Sequence, residues 1–88
     1  MIERQIIIKN KLGMHARPAA LFAQTAAMFE AHIRIAKKDI EVNGKSVMGL
    51  MMLAAEHGST VRVSASGRDE ETAMAALEQL FERKFDEE

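Results

Sequence analysis

The chain contains a single proline, Pro18, and that residue marks where the first helix has to begin. Proline lacks an amide hydrogen and has a ring-locked φ. It breaks a helix interior but is tolerated in the first turn, where the missing donor would have had no intrahelical acceptor. Pro18 lies within Gly13-Met14-His15-Ala16-Arg17-Pro18-Ala19-Ala20, and Phe22, Ala23, Ala26 and Ala27 continue at helical spacing. The spacing predicts a helix from about Ala16 to Met28. His15 then falls at or just before the cap, after the hinge at Gly13 and beside the free amides of Ala16 and Arg17. Those amides, the positive end of the helix dipole and the Arg17 guanidinium converge where the imidazole points, so the stretch reads as an anion site with a nucleophile inside it.

A lone histidine in a small domain is ordinarily a surface or capping group. Here the glycine hinge, the arginine two residues on and the helix-start proline favour chemistry. A neutral imidazole nitrogen is nucleophilic near pH 7 and leaves readily again, which suits reversible phosphoryl transfer. A phosphoryl dianion at this position gains on the order of 0.3–1 kcal/mol from the dipole, and up to ~2 kcal/mol if partly buried. That is enough to welcome the group without trapping it.

The rest of the chain alternates between the two hydrophobic periods. Ile2 to Ile8 reads as a well-covered strand, with Ile6 and Ile8 on one face and Ile7 on the other. Ile33 and Ile35 alternate with Arg34 in a second strand, Lys37-Lys38-Asp39 turns the chain, and Ile40 and Val42 complete a hairpin. Asn43-Gly44 breaks that strand, and Ser46 is placed to cap a short helix running to about Ala55. The helix is expected to end at His57-Gly58, with Gly58 in the left-handed conformation. Val61, Val63 and Ala65 line a fourth strand. Asp69 is placed to cap a third helix whose buried stripe is Ala73, Leu77, Leu80 and Phe81. The acidic tail from Asp86 to Glu88 is expected to fray. The resulting order, β-α-β-β-α-β-α, predicts one α+β domain over residues 1–88, with an antiparallel sheet covered on one face by helices.

Length and composition exclude several functions. A chain of 88 residues buries only about 60–65% of its unfolded surface, which leaves no room for a deep substrate cleft. The formal net charge is −1, with no Trp or Tyr and four Phe, which argues against nucleic acid through either bulk charge or base stacking. With no cysteine, disulfides and thiolate metal sites are excluded. His32 and His57 have no histidine three or four residues away and read as structural or solvated, so no metal or other cofactor is expected. No targeting leader and no apolar run approaching ~20 residues is visible, and the expectation is a cytoplasmic protein without membrane insertion.

The run from Gly13 to Ala20 is similar to the active-site signature of the histidine-containing phosphocarrier (HPr) family of the bacterial sugar phosphotransferase system. Asn43-Gly44-Lys45-Ser46-Val47-Met48-Gly49-Leu50-Met51 resembles that family's regulatory-serine segment, and Gly67-Arg68-Asp69-Glu70 its last turn before the final helix. The match runs essentially end to end without a shift in spacing. The resemblance implies an open-faced β-sandwich, a four-stranded sheet covered on one face by three helices, which periodicity alone leaves open in strand order. It also implies that the protein is a carrier and not an enzyme. His15 would accept phosphate on Nδ1 from phosphorylated enzyme I, which draws on phosphoenolpyruvate, and pass it to an enzyme IIA domain. Ala16 and Arg17 would hold the phosphate, with Arg17 also steadying the transfer state.

Ser46 is an ordinary helix cap, worth ~1 kcal/mol, and the resemblance implies a second role as the site of an HPr kinase/phosphorylase. Charge added there would repel acidic partners and lower traffic through His15. Gly44-Lys45-Ser46 is not a nucleotide loop, since Asp39 stands where the first P-loop glycine is required. Val47, Met48, Met51 and Met52 crowd one short helix in a chain with seven methionines, and not all of them can face inward. Val47, Met48 and Met51, with Ala20 and Gln24 of the first helix, are expected to form an apolar docking patch around His15, since thioethers fit several partners. The protein is expected to act as a monomer.

Some residues depart from the family pattern. Leu12 replaces a small polar residue, Met14 replaces Leu or Ile, and Gln24 and Ala27 lack the lysine charge that some relatives carry. The Lys11-Leu12-Gly13 lead-in also occurs in the nitrogen-related branch, which makes a regulatory relay the first alternative. A second is a binding module whose phosphorylated Ser46 docks a transcription regulator. A third, a ferredoxin-like RNA- or effector-binding domain, is opposed by the acidic balance and the missing aromatics.

Overall fold

The computed structural model describes residues 1–87 and consists of β1 (Ile2–Ile7), α1 (Ala16–Ala27), β2 (His32–Lys37), β3 (Ile40–Asn43), α2 (Val47–Met52), β4 (Thr60–Ser66), α3 (Glu70–Glu82) and a short turn of helix, η1 (Lys84–Asp86). The strands form one antiparallel sheet in the order β1-β4-β2-β3. The last strand in sequence therefore lies between the first two. Pairings such as Ile2↔Ala65, Ile6↔Val61, Ile33↔Ala65 and Ile35↔Val63 align the apolar positions on a single face, as the two-residue period of a strand requires. The helices pack on that face around Phe22, Leu50, Leu77, Leu80 and Phe81. The other face carries Glu3, Gln5, Arg34, Arg62 and Ser64 and is left open. This is the open-faced sandwich expected.

Several local expectations are corrected. β1 is not well covered. It is an edge strand paired only with β4, its middle is exposed, and Ile7 is 55% exposed. Helix α2 ends at Met52 and does not reach Ala55. The left-handed residue that follows it is Ala54, with φ 54°, whereas Gly58 (φ 88°) belongs to the turn into β4. Two distant groups hold that early stop in place. Lys37 Nζ donates to the Ala54 carbonyl at 2.9 Å, and the Met14 amide donates to the Ala55 carbonyl at 2.7 Å. These bonds tie the segment after the helix to β2 and to the loop before α1.

Asp69 is the N-cap residue of α3, but its side chain does not cap that helix. It accepts from the amides of Glu30 and Ala31, each at 2.9 Å, and so joins the start of α3 to the segment leading into β2. The bond from the Glu30 amide is the main reason its carboxyl is held below the ordinary aspartate range, with the Ala31 amide and Lys45 acting in the same direction against desolvation. A depressed folded-state value stabilises the fold at pH above the ordinary aspartate value, and that contribution fades as pH falls through the lowered one. Asp69→Asn should therefore lose less stability than the parent on acidification, measured as urea midpoints at pH 7 and at about pH 3.

The tail is the largest departure. Asp86 and Glu87 do not fray (Glu88 lies outside the described residues). Lys84, Phe85 and Asp86 all have φ between 55° and 60°, a left-handed run that costs on the order of 1–2 kcal/mol per non-glycine residue. What offsets it is burial. Phe85 is fully buried, and its ring meets Phe81 edge-on with centroids 5.1 Å apart. Phe81 in turn meets Phe22 of α1 at 6.0 Å. The chain end is thereby turned back onto the start of α1.

Candidate functional site

The loop between β1 and α1 is held by its own backbone and by one buried polar side chain. Gly13 has φ +70°, and its amide donates to the Asn10 carbonyl at 3.2 Å. The His15 amide donates to the Gly13 carbonyl at 3.0 Å. Asn10 is buried, and its Nδ2 donates to the Gly13 carbonyl at 2.7 Å. Met14 is buried beneath the loop, leaving Leu12 exposed at its tip. The expected hinge is therefore a braced turn.

His15 is the N-cap residue of α1, with extended backbone (φ −93°, ψ −168°) and no side-chain bond to its own helix. Its carbonyl accepts from Ala19, the first α-helical bond, and Pro18 is buried in the first turn. The amides of Ala16 and Arg17 therefore lie in the unbonded first turn, facing the imidazole end of the helix. The ring is 36% exposed, neither packed in the interior nor at the far end of the helix. His15 and Ala16 thus stand at the helix start where the proline and glycine place them in the sequence.

Arg17 is placed differently from the expectation. Its Nη1 donates to the Phe85 carbonyl at 3.0 Å, so the guanidinium is engaged with the returning tail. The group that touches the imidazole is Glu87, whose Oε2 lies 2.6 Å from His15 Nε2. Glu87 Oε1 accepts from Asn10 Nδ2 at 2.9 Å. Asn10 and Glu87 were both missed in the sequence. The signal that points to Glu87 is Phe85, a lone aromatic among Glu82, Arg83, Lys84, Asp86 and Glu87, which marks an anchored tail rather than a solvated one; no local pattern marks Asn10.

Ser46 is the N-cap of α2, and its hydroxyl accepts from the Gly49 amide at 3.0 Å. Lys45 Nζ reaches the Phe29 carbonyl at 2.7 Å. Helix α2 packs beside α1 and presents Val47, Met48, Met51 and Met52 to solvent, while Leu50 is its buried residue. On α1, Gln24 is exposed and Ala20 partly so. His32 and His57 are exposed. Among the described residues no cluster of His, Cys, Asp or Glu is placed to hold a metal, and no helix is long and apolar enough to cross a membrane.

A partly exposed imidazole at an open helix start suits a small carrier that meets its donors and acceptors at its surface. The comparisons agree. Residues 2–83 match the family described as PTS HPr component phosphorylation site. Phosphocarrier protein HPr of Xylella fastidiosa (strain 9a5c) is 48% identical over 99% of this chain and 98% of its own length. The crystal structure of HPr-C-His from Thermoanaerobacter tengcongensis is 53% identical, with a TM-score of 0.96 over 100% of this chain and 99% of that one. Phosphocarrier protein NPr of Shewanella violacea is 41% identical over 98% of this chain and 94% of its own length. The chain belongs to the HPr family and is a phosphocarrier of the phosphotransferase system, not a catalyst. Its partners are proteins of that system.

Proposed function

We propose that His15 is the phosphoryl acceptor, taking the group on Nδ1 from phosphorylated enzyme I and handing it to an enzyme IIA domain. The observation that carries this reading is the half-exposed ring at the N-cap of α1, with the amides of Ala16 and Arg17 beside it. Nδ1 has no hydrogen-bond partner among the described residues. As the new P–Nδ1 bond forms, the bond from phosphorus to the donor breaks and its electron pair stays on the donor. The first-turn amides and dipole of α1 then face the phosphoryl oxygens. Arg17 reaches them by leaving the Phe85 carbonyl.

Val47, Met48 and Met51 of α2, with Ala20 and Gln24 of α1, form the docking surface, and the carrier works as a monomer. Ser46, at the start of the same helix, is the regulatory site for an HPr kinase/phosphorylase, and charge added beside that surface repels acidic partners. The nitrogen-related branch remains the second reading on the strength of the Lys11-Leu12-Gly13 lead-in. A Ser46-dependent contact with a transcription regulator is an additional output of the same serine.

One experiment with two arms tests these assignments. Phosphoenolpyruvate and enzyme I should give one acid-labile phosphoryl per chain, absent from His15→Ala. ATP and the kinase should give an acid-stable adduct, absent from Ser46→Ala. A labile adduct persisting in His15→Ala sinks the first assignment, and a stable one persisting in Ser46→Ala sinks the second.

A further inference from the structure

Two locally unfavourable features and one restraining hydrogen bond surround the chain end and one carboxylate in it. Lys84, Phe85 and Asp86 are non-glycine residues with left-handed φ. Asn10 Oδ1 is buried with no hydrogen-bond partner among the described residues. Arg17 is drawn onto the Phe85 carbonyl. Strain and unsatisfied polar atoms concentrate where surrounding structure enforces a functional geometry. The result here is Glu87 held at both oxygens, Oε1 by Asn10 Nδ2 at 2.9 Å and Oε2 by His15 Nε2 at 2.6 Å. Its side chain is only 14% exposed. The orientation of Asn10 follows from its neighbours. The Gly13 carbonyl and Glu87 Oε1 are both acceptors, so the amide nitrogen must face them, and Oδ1 is left with nothing.

We propose that Glu87 is a positioning residue for His15: it holds the ring proton on Nε2, which leaves the Nδ1 lone pair free to attack. A carboxylate only accepts hydrogen bonds, so a ring nitrogen 2.6 Å from it carries the proton. A neutral imidazole has one such proton, and fixing it on Nε2 makes Nδ1 the nucleophile. When Nδ1 takes the phosphoryl group the proton stays on Nε2, and the positive charge developing on the ring faces the Glu87 carboxylate. The same arrangement, a carboxylate orienting an imidazole from its far nitrogen, serves acyl transfer in serine hydrolases. The carboxylate sits on the nitrogen that does not react, so it does not occupy the place the phosphoryl group takes.

This inference rests on His15 being the acceptor. The test uses 15N-labelled full-length protein with Glu87→Ala and Glu87→Gln. The His15 imidazole 15N shifts report the tautomer above neutral pH, and the initial rate of labelling by phosphoenolpyruvate and enzyme I reports the transfer. The parent should hold the Nε2–H tautomer almost completely. Glu87→Ala should relax to the mixed tautomers of an unrestrained histidine and be labelled more slowly, by about tenfold, the usual scale for losing a carboxylate behind an imidazole. Glu87→Gln can still accept from Nε2–H through its amide oxygen, so it should keep the tautomer and lie between the two in rate. Either quantity left unchanged in Glu87→Ala overturns the proposal. If instead the parent takes up no labile phosphoryl, or His15→Ala still does, the assignment of His15 fails and Glu87 loses its role with it. Labelling at His15 with Glu87→Ala indistinguishable from the parent refutes Glu87 alone.

Discussion

Phe85→Ala is expected to lower the unfolding free energy by about 3 kcal/mol, toward the low end of the range for deleting a buried phenylalanine. The ring is fully buried and packs edge-on against Phe81, so its loss removes both transfer energy and an aromatic contact. The cost stays near the low end because the left-handed run Lys84–Asp86 is free to relax once its anchor is gone. The effect should reach the site as well. Without the anchor, Arg17 loses the Phe85 carbonyl and His15 loses Glu87. Urea unfolding followed by far-UV circular dichroism gives the stability. Amide exchange at Arg83 to Glu87 should rise to near the rate of free chain while the sheet stays protected. Protection of the tail retained in Phe85→Ala would show that it is held by its polar contacts and not by the ring.

Gly13→Ala should be of comparable size, for a different reason. A side chain at φ +70° is strained, and the added Cβ would stand 2.8 Å from the Glu56 Cα, on backbone that cannot swing aside. Left-handed strain of about 1–2 kcal/mol adds to overpacking of about 1–3 kcal/mol, for a total of roughly 2–4 kcal/mol. The neighbouring backbone belongs to the segment that accepts the Met14 amide through the Ala55 carbonyl. Relief of the clash therefore moves His15 relative to α2. Phosphoryl uptake should fall by at least about tenfold, since small misplacements of a reacting group are costly. A melting temperature and a labelling rate both equal to those of the parent would contradict this account.

Those two residues also show what could be read from the chain and what could not. The strands at Val61-Val63-Ala65 and Ile33-Ile35, the stripe Ala73-Leu77-Leu80-Phe81 and the helix start at Pro18 are local patterns, and each is present in the structure. The placement of His15 at the N-cap was legible because a proline, a glycine and an alanine-rich run all bear on one junction. The strand order was not, because it depends on which distant segments meet. Asp69 misled for the same reason: capping its own helix is the local choice, but the amides of Glu30 and Ala31 claim the carboxylate. The segment after α2 is held by Lys37 and Met14, neither of them nearby in sequence. The tail was least legible of all. Its charge argued for solvent, and only the tertiary pocket beside Phe81 makes a left-handed run of lysine, phenylalanine and aspartate tolerable.

The position of β4 between β1 and β2 bears on how the protein is born. While the polypeptide is being synthesised, residues 1 to 59 can pair the β2–β3 hairpin and pack α1 beside α2, but β1 has no neighbour to bond until Thr60–Ser66 emerges. A ribosome-bound chain therefore carries an unsatisfied first strand until residues 60–66 have been made. The carrier assembles in a single late event, when one central strand zips up both of its flanks and the last helix and tail close over them.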